Sequence, residues 1–566
     1  MRTRGNLMGS TSAGWSRREV LGSLASVGAT GLLPAATAQP QLILHNANIW
    51  TVNPRAPRAQ ALAIADGRLL AVGSDREVLR LATRQCRKID MAGRFVLPGF
   101  IDAHCHPSDA GISHLLHVDC DLGSNAEILA ALRARAAITK PGQWVRGFKY
   151  DDTKPSEGRA LTRQDLDAAI PDHPVLVAHR GGHISWANSR AFQTVGVTED
   201  AADPPGGSYG RDLVTGRLTG LLRENAEDAF WKLADATKPT REQVRDAVKL
   251  VSKMMSRVGI TSGHDAGVEP DTIRGYQDAH EAGELTVRIY GLIWFEQLDA
   301  VLETGARPGA GDEWVRLGGV KLFCDGSISE RTAWLSEPYV GRPNDHGILV
   351  NDEDHLYPIA MKAHRAGWQL GTHANGDLAI DIVLRVYERL NREYPRRDPR
   401  FRLEHCTVVN DSLIRRMKAL GAIPTPFSSY VYFHGEKMAE YGAERLNHMF
   451  ALRSFLDAGI RATQASDYEA SPWEPMMALQ SEVTRTDTKG RVWGPQQRIT
   501  LEEAIRVGTL NGAYASYEEG LKGSLEPGKF ADLAVLGRNP FKVDPFDLVN
   551  VPVEQTMVGG RWVWEA

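Results

Sequence analysis

Two histidines separated by one residue, His104 and His106, are the side chains of this sequence best suited to hold a metal ion. They end an apolar run, GFIDAHCH, whose residue types favour a β-strand. Side chains on a strand alternate between its two faces, so Asp102, His104 and His106 share one face while Cys105 lies on the other. Neutral imidazoles are common zinc ligands, and this spacing at a strand end predicts a metal site.

Side chains that can bind a metal also end several later apolar runs. They are Lys321, His373, His405 and Asp467. The carboxyl ends of the strands meet at one mouth of a parallel barrel, so residues from distant parts of the chain would converge there. Strand alternation places His405 on the face of Leu403, and Asp467 on the face of Ala465. We predict a centre built from imidazoles, a lysine and a carboxylate. Imidazoles and carboxylates are common zinc ligands.

The rest of the chain supplies elements that can position such a centre. Between residues 98 and 520, strand-like runs alternate with helical stretches, which predicts an α/β fold with a parallel sheet or barrel. Nine runs compete for eight barrel places, and HPVLVAHRGGH (173–183) is the one that we assign to a long insertion after the first strand. The β-rich segments 39–97 and 521–566 share a strand-turn-strand texture, so we expect one small β-sandwich built from both chain ends.

The composition excludes several classes of protein. With 566 residues, 42% hydrophobic and 24% charged, the chain has the composition of an ordinary globular protein. Its net charge of -4 and its lack of a basic stripe argue against a nucleic-acid partner. Its five cysteines contain no CxxC pair and are odd in number, so neither a disulfide framework nor redox chemistry is indicated.

Residues 1–38 have the features of an export signal. Arg17 and Arg18 form a twin-arginine pair, and Ala36-Thr37-Ala38 is a cleavage site of the A-x-A type. The weakly apolar run between them is interrupted by Gly and Ser and is too short to span a bilayer. We therefore expect the twin-arginine export machinery to deliver the protein to the periplasm or the medium, with no stable membrane span.

Several segments resemble the amidohydrolase superfamily, specifically its amidohydrolase 3 branch of YtcJ-like and N-substituted formamide deformylase-like proteins. They are PGFIDAHCH, GGVKLFCDGSISERTAWLSEPY, GTHANGD, RLEHC, SDYEASPWEP and GSLEPGKFADLAVL, and together they span nearly all of the chain after residue 38. Relatives often have alanine where this chain has Cys324. The resemblance implies a (β/α)8 TIM-type barrel, one or two divalent ions with zinc expected, and a small-molecule substrate. It leaves the oligomeric state open, with a homodimer as one option.

The resemblance also implies roles for the side chains at the strand ends. Those that match the family's metal ligands are His104, His106, His373, His405 and Asp467. Asp467 would in addition take the proton of the attacking water. His405 would bind a second ion or, if only one ion is present, orient the carbonyl oxygen of the substrate. Lys321 would be carboxylated and bridge two ions, and a plain lysine paired with Asp325 or another acid is the alternative.

Four further residues are candidates for substrate binding. His183 and Trp186 belong to GGHISWANS, which matches a family segment near the substrate, while Asp377 and Arg331 follow two of the strand ends. A tryptophan beside a histidine suits an aromatic or amide-bearing ligand. The structural alternatives are a loop tryptophan that covers apolar surface and charged side chains that form surface salt bridges.

These features predict a metal-dependent hydrolase that uses metal-activated water to cleave a non-peptide C–N bond of a small amide, N-acyl or N-formyl compound. A deaminase or a lactone or ester hydrolase on the same scaffold is one alternative. A non-catalytic exported barrel that binds a metal or a ligand is the other. Asp467 argues against the second alternative, because a binding protein has little use for a group that moves protons.

Overall fold

A computed structural model of the protein describes residues 39–566. The predicted twin-arginine pair and cleavage site lie outside these residues. Within them, the model contains no helix whose length and apolarity would let it cross a bilayer.

The first described part of the chain forms strands of a small β-sandwich. Its elements are β1 (Leu42–His45), β2 (Asn48–Trp50), β3 (Arg58–Ala59), β4 (Ala61–Ala65), β5 (Arg68–Gly73), α1 (Asp75–Leu79), β6 (Arg87–Asp90) and β7 (Phe95–Pro98). One sheet has the order β5-β4-β1-β6, and β2, β3 and β7 belong to a second sheet. Asp66 and Gly67 join β4 to β5 with φ values of 49° and 75°. Positive φ at both positions is what a tight hairpin turn with Asp-Gly requires.

The chain then adds one strand to the barrel and leaves it for a long insertion. The strand is β8 (Phe100–Cys105), and α2 (Pro107–Leu116) follows it. The insertion contains β9 (Val118–Asp119), α3 (Asn125–Ala136), β10 (Val145–Tyr150), α4 (Arg163–Ala169), β11 (Val175–His179), β12 (Ile184–Ala187), α5 (Ser189–Val195), β13 (Gly207–Arg211), β14 (Leu218–Glu224) and α6 (Asp228–Ala234). Its strands form a sheet of order β13-β14-β12-β11-β10-β9. The HPVLVAHRGGH run therefore lies in the inserted sheet and not in the barrel.

The next elements alternate as expected for βα units. They are α7 (Arg241–Arg257), β15 (Ile260–Val268), α8 (Pro270–Glu281), β16 (Arg288–Trp294), α9 (Leu298–Glu303), β17 (Ala310–Gly311), β18 (Val315–Phe323), α10 (Glu353–Arg365), β19 (Gln369–Ala374), α11 (Asp377–Glu393), β20 (Arg402–His405), α12 (Asp411–Leu420) and β21 (Ile423–Thr425). The parallel strands follow one another around the sheet in the order β21-β20-β19-β18-β16-β15-β8.

An irregular segment, 463–467, closes the barrel between β21 and β8. On one side the amide of Thr463 donates to the carbonyl of Pro424 at 3.1 Å, and on the other the amide of Ala103 donates to the carbonyl of Gln464 at 2.9 Å. The predicted (β/α)8 barrel is therefore confirmed, with seven regular parallel strands in the described part of the chain and an irregular eighth segment.

The end of the chain covers the barrel and completes the sandwich. Its elements are α13 (Tyr430–Phe433), α14 (Gly442–Leu446), α15 (Leu452–Asp457), α16 (Pro475–Thr484), α17 (Leu501–Arg506), α18 (Gly512–Ala515), β22 (Leu533–Leu536), β23 (Val553–Val558) and β24 (Arg561–Glu565). The last three strands extend the second sheet to the order β24-β23-β22-β7-β2-β3. Val535 pairs with Val96, so the two chain ends share this sheet, and Leu62 packs with them in the core of the sandwich.

The apolar core around the barrel determines which side chains enter its interior. Cys105, Val320 and Leu403 belong to the large cluster that joins the strands to the surrounding helices. Because neighbouring residues on a strand face opposite ways, His104 and Lys321 turn toward the interior of the barrel.

Candidate metal centre

His104, His106 and Asp467 bring their ligand atoms together at the carboxyl end of the barrel strands. Oδ1 of Asp467 lies 3.3 Å from Nε2 of His104 and 3.1 Å from Nε2 of His106. The ligand atoms of the three residues all lie within 4.8 Å of one another, so one ion can contact all of them. The His104 side chain is fully buried and that of His106 is 24% exposed, which opens the group to solvent on the His106 side.

Backbone contacts with β8 hold Asp467 in this position. Its amide donates to the carbonyl of His104 at 2.8 Å. The Asp102 carboxylate accepts from the amides of Ser466, at 3.0 Å, and of His104, at 3.3 Å. Asp467 has a φ of 53°, so the chain leaves the extended conformation there. A non-glycine residue in this region costs of order 1–3 kcal/mol and persists only where its surroundings fix it.

Glu404, which the sequence analysis did not single out, orients His104. Its Oε2 accepts from Nδ1–H of His104 at 2.6 Å and from the Thr425 hydroxyl at 2.6 Å. Burial alone would raise the pKa of Glu404, but Arg402 and His104 hold it well below its usual range. With its proton fixed on Nδ1, His104 turns the lone pair of Nε2 toward Asp467, as metal-binding histidines do when a carboxylate supports them. The sequence signal that could have identified Glu404 is the pair Arg402 and Glu404, two charged residues on one face of an otherwise apolar strand.

His405 reaches the same centre because the strand alternation breaks. It directly follows Glu404, yet its ring centroid lies 4.7 Å from that of His104 and 4.5 Å from that of His373. Its φ of 68° explains this, and the predicted common face with Leu403 is wrong, since Leu403 packs toward the helices. Burial, together with His104 and Lys321, holds the pKa of His405 well below its usual range. Its buried Nδ1 has no hydrogen-bond partner within residues 39–566.

Lys321 lies in contact with the metal ligands. Its Nζ is 3.0 Å from Nε2 of His104. Burial lowers the pKa of Lys321 to about 8, against the opposing effect of Glu404 and Asp467. Asp325, the alternative salt-bridge partner, instead accepts three backbone amide hydrogen bonds at 2.8 to 2.9 Å.

His373 pairs with His405 beside the compact group. Its Nε2 lies 3.1 Å from the carbonyl oxygen of Gly326, and its ring stacks on Phe323 with centroids 4.2 Å apart. Burial, reinforced by His405, lowers the pKa of His373 well below its usual range, so the imidazole is neutral. The predicted ligands therefore divide into a group of three, His104, His106 and Asp467, and a neighbouring pair, His373 and His405, with Lys321 against His104.

His183 approaches this pair from the insertion. Its ring lies 5.1 Å from that of His373 and 5.3 Å from that of Phe323, and its Nδ1 is 3.0 Å from Oε2 of Glu224. Burial alone would lower the pKa of His183, but the Glu224 carboxylate raises it to about 9. A protonated imidazole therefore faces the centre at neutral pH.

Trp186 and Arg331 line a cavity of about 350 Å³ between the inserted sheet and the barrel loops. Ile184 and Trp186 form part of its apolar wall, and Arg223 also lines it. The Arg331 guanidinium is engaged by Asp152 at 3.4 Å. Arg223 has no ion-pair partner in the described part of the chain. The cavity thus combines an aromatic wall with the guanidinium of Arg223, and the carboxylates of Asp152 and Glu330 also line it.

Asp377, the fourth substrate-binding candidate, lies elsewhere. It begins α11, and its carboxylate accepts from the backbone amide of Ser336 at 2.9 Å. This contact ties the loop around Ser336 to the helix. The structure therefore places Asp377 apart from the cavity that Trp186 and Arg331 share.

The donor set fits a divalent ion of the zinc type. Because the His104 proton lies on Nδ1, Nε2 of His104 and Oδ1 of Asp467 are two acceptors only 3.3 Å apart. A divalent ion between these atoms would satisfy both lone pairs, and imidazole nitrogens with a carboxylate oxygen are the usual ligands of catalytic zinc. His104, His106 and Asp467 would hold the ion, and His405 has a free nitrogen beside them.

Comparisons with known proteins agree with this geometry. A family model for the amidohydrolase family matches residues 87–564. An N-substituted formamide deformylase of Arthrobacter pascens is 31% identical over 93% of this chain and 98% of its own length. The YtcJ protein of Bacillus subtilis is 29% identical over 92% of this chain and 99% of its own. The crystal structure of an uncharacterised metal-dependent hydrolase of Pyrococcus horikoshii superposes with a TM-score of 0.73 at 25% identity, covering 89% of this chain and 99% of that one.

Proposed function

The chain belongs to the amidohydrolase family, and we propose that it hydrolyses the C–N bond of a small N-acyl or N-formyl compound. It is a metal-dependent hydrolase that acts on carbon–nitrogen bonds other than peptide bonds. One observation carries the proposal: the carboxylate of Asp467 lies between the imidazoles of His104 and His106, at 3.3 and 3.1 Å. The similarity to the formamide deformylase, which extends over both chains, favours an N-formyl or related N-acyl substrate.

We assign proton transfer to Asp467. Although burial alone would raise the pKa of Asp467, the imidazoles of His405, His104 and His106 hold it well below its usual range. The ionised carboxylate can therefore take a proton from the water that attacks the carbonyl carbon. The same carboxyl group then returns that proton to the nitrogen, which leaves as an amine while the acyl group leaves as an acid. When bound, a divalent ion would lower the pKa of that water and polarise the carbonyl group.

Two histidines are placed to act on the substrate carbonyl. His405 is neutral and its Nδ1 has no partner within residues 39–566, so this nitrogen can bind an ion through its lone pair or, in the tautomer that carries the proton there, donate to the carbonyl oxygen. His183, whose pKa is raised to about 9, carries a proton and suits the negative charge that develops on this oxygen.

The substrate side chain is proposed to occupy the cavity beside Trp186. Ile184 and Trp186 form part of its apolar wall, and the Trp186 ring is held in place by Tyr150, whose ring centroid lies 4.8 Å away. Arg331 holds its place through Asp152 at 3.4 Å, while the guanidinium of Arg223 remains available. An aromatic or aliphatic group with a polar end fits this combination, because guanidinium and carboxylate groups both line the cavity.

The finer chemistry of the centre is also proposed. Zinc is the proposed ion, in one or two copies, and a carboxylated Lys321 would bridge two of them. Burial lowers the pKa of Lys321 to about 8, which makes the neutral amine that reacts with CO₂ accessible near neutral pH. The alternative is a single ion with an unmodified Lys321 held against Nε2 of His104.

Location in the cell rests on residues 1–38 alone. We propose that the twin-arginine machinery exports the folded protein, so that the enzyme works in the periplasm or the medium on a diffusing small molecule. A homodimer remains a prediction.

A substrate screen tests the proposed function. Zinc-loaded protein is offered N-substituted formamides, N-acyl amines, lactones, esters and amino-substituted rings, with release of formate or acid, amine and ammonia measured separately. Zinc-loaded Asp467→Asn protein is the matched control. We expect amine and formate or another acid in equal amounts from the wild type and little from the control. Ammonia release from a ring would instead support a deaminase, acid without amine would support an esterase or lactonase, and equal rates in both proteins would remove Asp467 from the mechanism.

A further inference from the structure

A second group of ligand-type side chains lies where the inserted sheet meets the barrel. We call it the seam cluster, and its members are Asp151, Asp152, His179 and His434. Asp151 and Asp152 follow β10, His179 ends β11, and His434 follows α13. The side chains of Asp151, His179 and His434 are fully buried, and that of Asp152 is 15% exposed. The cluster shares no residue with the centre at His104, His106 and Asp467.

Both histidines of the seam cluster are oriented as metal ligands are. Nδ1 of His179 lies 2.6 Å from Oε1 of Glu330, to which it donates, and the amide of Gly181 also approaches this nitrogen at 3.1 Å. Nε2–H of His434 donates to the carbonyl of Ala470 at 3.0 Å. Each ring thus has one nitrogen fixed and the other free. Nε2 of His179 and Nδ1 of His434 have no hydrogen-bond partner in the described chain, although both rings are buried. Glu330 supports His179 in the same way that Glu404 supports His104.

The spacing of the free atoms matches the ligands of an ion better than the partners of hydrogen bonds. Nε2 of His179 lies 3.5 Å from Oδ1 of Asp152 and 3.9 Å from Oδ1 of Asp151, and Nδ1 of His434 lies 3.7 Å from Oδ2 of Asp151. Hydrogen bonds between such atoms measure about 2.7–3.2 Å. Ligands about 2.0–2.2 Å from a tetrahedral zinc ion lie roughly 3.3–3.6 Å apart, because a tetrahedron's edge is about 1.6 times its radius. We propose that the seam cluster is a second binding site for a divalent transition-metal ion such as zinc.

The charged groups around the cluster allow two occupants, a metal ion or the proton of a charged His179. Lys437 approaches Asp151 at 3.2 Å, and Arg331 approaches Asp152 at 3.4 Å, but Oδ1 of Asp152 is buried without a hydrogen-bond partner. Without an ion, the proton of a charged His179 is the competing cation, since Glu330 raises the pKa of His179 to about 10 although burial alone would lower it. A charged His179 would draw an aspartate oxygen to hydrogen-bond distance of Nε2, which the separations of 3.5 and 3.9 Å do not show.

The ion would have a structural role. The cluster takes three ligands from the insertion and one, His434, from the barrel side, so an ion there cross-links the two parts. Trp186 lies in β12 of the inserted sheet, and His183 directly precedes that strand. Both residues face the region where we place the substrate. The ligand atoms of Asp151, Asp152 and His179 lie within 4.8 Å of one another, and His434, 3.7 Å from the other oxygen of Asp151, would be the fourth ligand. Four protein ligands are typical of structural zinc.

Zinc counting separates the two sites. Protein is equilibrated with buffered Zn²⁺ and its zinc per chain is measured. The variant His104→Ala/His106→Ala should keep one ion per chain in the seam cluster, whereas Asp152→Asn/His179→Gln should lose one ion relative to the wild type. Glu440→Gln is the matched control, because Glu440 lies 3.1 Å from Arg331 beside the cluster but contributes no ligand atom. It should keep the wild-type count.

Anomalous diffraction decides the case even if the double variant fails to fold. Data from wild-type crystals equilibrated with Zn²⁺, collected on both sides of the zinc edge, should show a peak among the four side chains. Absence of that peak at saturating zinc, or equal zinc counts in the wild type and in folded Asp152→Asn/His179→Gln, would overturn the proposal. If the barrel centre does not bind zinc, the wild type will contain no more zinc than His104→Ala/His106→Ala. The zinc counts therefore distinguish an error about the barrel centre from an error about the seam cluster.

Discussion

Replacing Glu404 by glutamine tests whether this carboxylate prepares His104 for metal binding. The amide keeps the shape and can still accept from Nδ1–H, but the charge is lost. A hydrogen bond to a charged group contributes about 1.5–3 kcal/mol and a neutral one about 0.5–1.5 kcal/mol. The difference, about 1–1.5 kcal/mol, corresponds to roughly a tenfold loss of zinc affinity. Changes to residues that support metal-bound histidines weaken binding by about 10- to 100-fold, so we expect a result in that range.

The same change should also destabilise the fold, because it leaves the buried Arg402 without its charged partner. Breaking a buried ion pair from one side costs about 3–5 kcal/mol. Asp532→Asn is the matched control: Arg288 and Asp532 form a buried pair at 2.8 Å, both side chains are 3% exposed, and neither belongs to the metal centre. We expect both variants to melt at lower temperature, but only Glu404→Gln to bind zinc more weakly.

Zinc dissociation constants are measured by competition with a chromophoric chelator, and melting temperatures by thermal unfolding of the metal-free proteins. Excess zinc should restore most of the activity of Glu404→Gln, because the ligands themselves are intact. If Glu404→Gln binds zinc as the wild type does, Glu404 does not orient His104. If Asp532→Asn loses as much affinity as Glu404→Gln, the loss reflects general destabilisation.

Four further predictions follow from the described contacts. His106→Ala should purify with less bound metal and lack activity, and full occupancy on metal analysis would contradict its role as a ligand. Asp467→Asn should keep most of its metal while turnover falls by about 10² or more, because an amide cannot take the proton; near wild-type turnover in metal-loaded protein would refute this. Lys321→Ala should lose a second ion and most activity, with partial rescue by formate or acetate, if Lys321 is carboxylated; unchanged metal content without rescue would indicate a plain lysine. Burial raises the pKa of Glu482 to about 8, so the folded state prefers its protonated form and stability falls as pH rises from about 4.5 to about 8. Glu482→Gln should therefore increase the free energy of unfolding at pH 8 by on the order of a few kcal/mol relative to the wild type, and so raise the melting temperature there. This gain should vanish near pH 4, and the same pH slope in both proteins would contradict the reasoning.

Most of the fold could be predicted because each barrel strand has a local sequence pattern. Apolar runs ending in polar side chains mark the strands, and the turn at Asp66-Gly67 marks a hairpin of the sandwich. The run 459–467, which ends at Asp467, is predicted as a strand, but the segment 463–467 makes its hydrogen bonds to β8 and β21 without regular strand geometry. A single sequence gives no sign of this irregularity, because it depends on the positions of two neighbours that are distant along the chain.

The metal ligands of the candidate site could be predicted from the sequence, but the residues that orient those ligands could not. Histidines at strand ends are visible in the sequence, whereas Glu404 was overlooked because alternation assigned it to the face opposite His405. Only the positive φ of His405 allows adjacent residues to contact the same imidazole of His104. The seam cluster was missed for a similar reason: His179 and His434 are 255 positions apart, and only the packing of the insertion on the barrel joins them.

Backbone conformation connects the two residues to which we assign the chemistry. His405 and Asp467 are both non-glycine residues with positive φ, 68° and 53°, a conformation that costs of order 1–3 kcal/mol at each position. In each case the neighbouring contacts are buried and hydrogen-bonded, through Glu404 for one and through Asp102 for the other. These two carboxylates touch the residues that flank or oppose the strained positions rather than any substrate. Changing either carboxylate should therefore loosen the contacts around a strained position, and because both carboxylates are buried, the loss is expected to lower metal affinity and fold stability together.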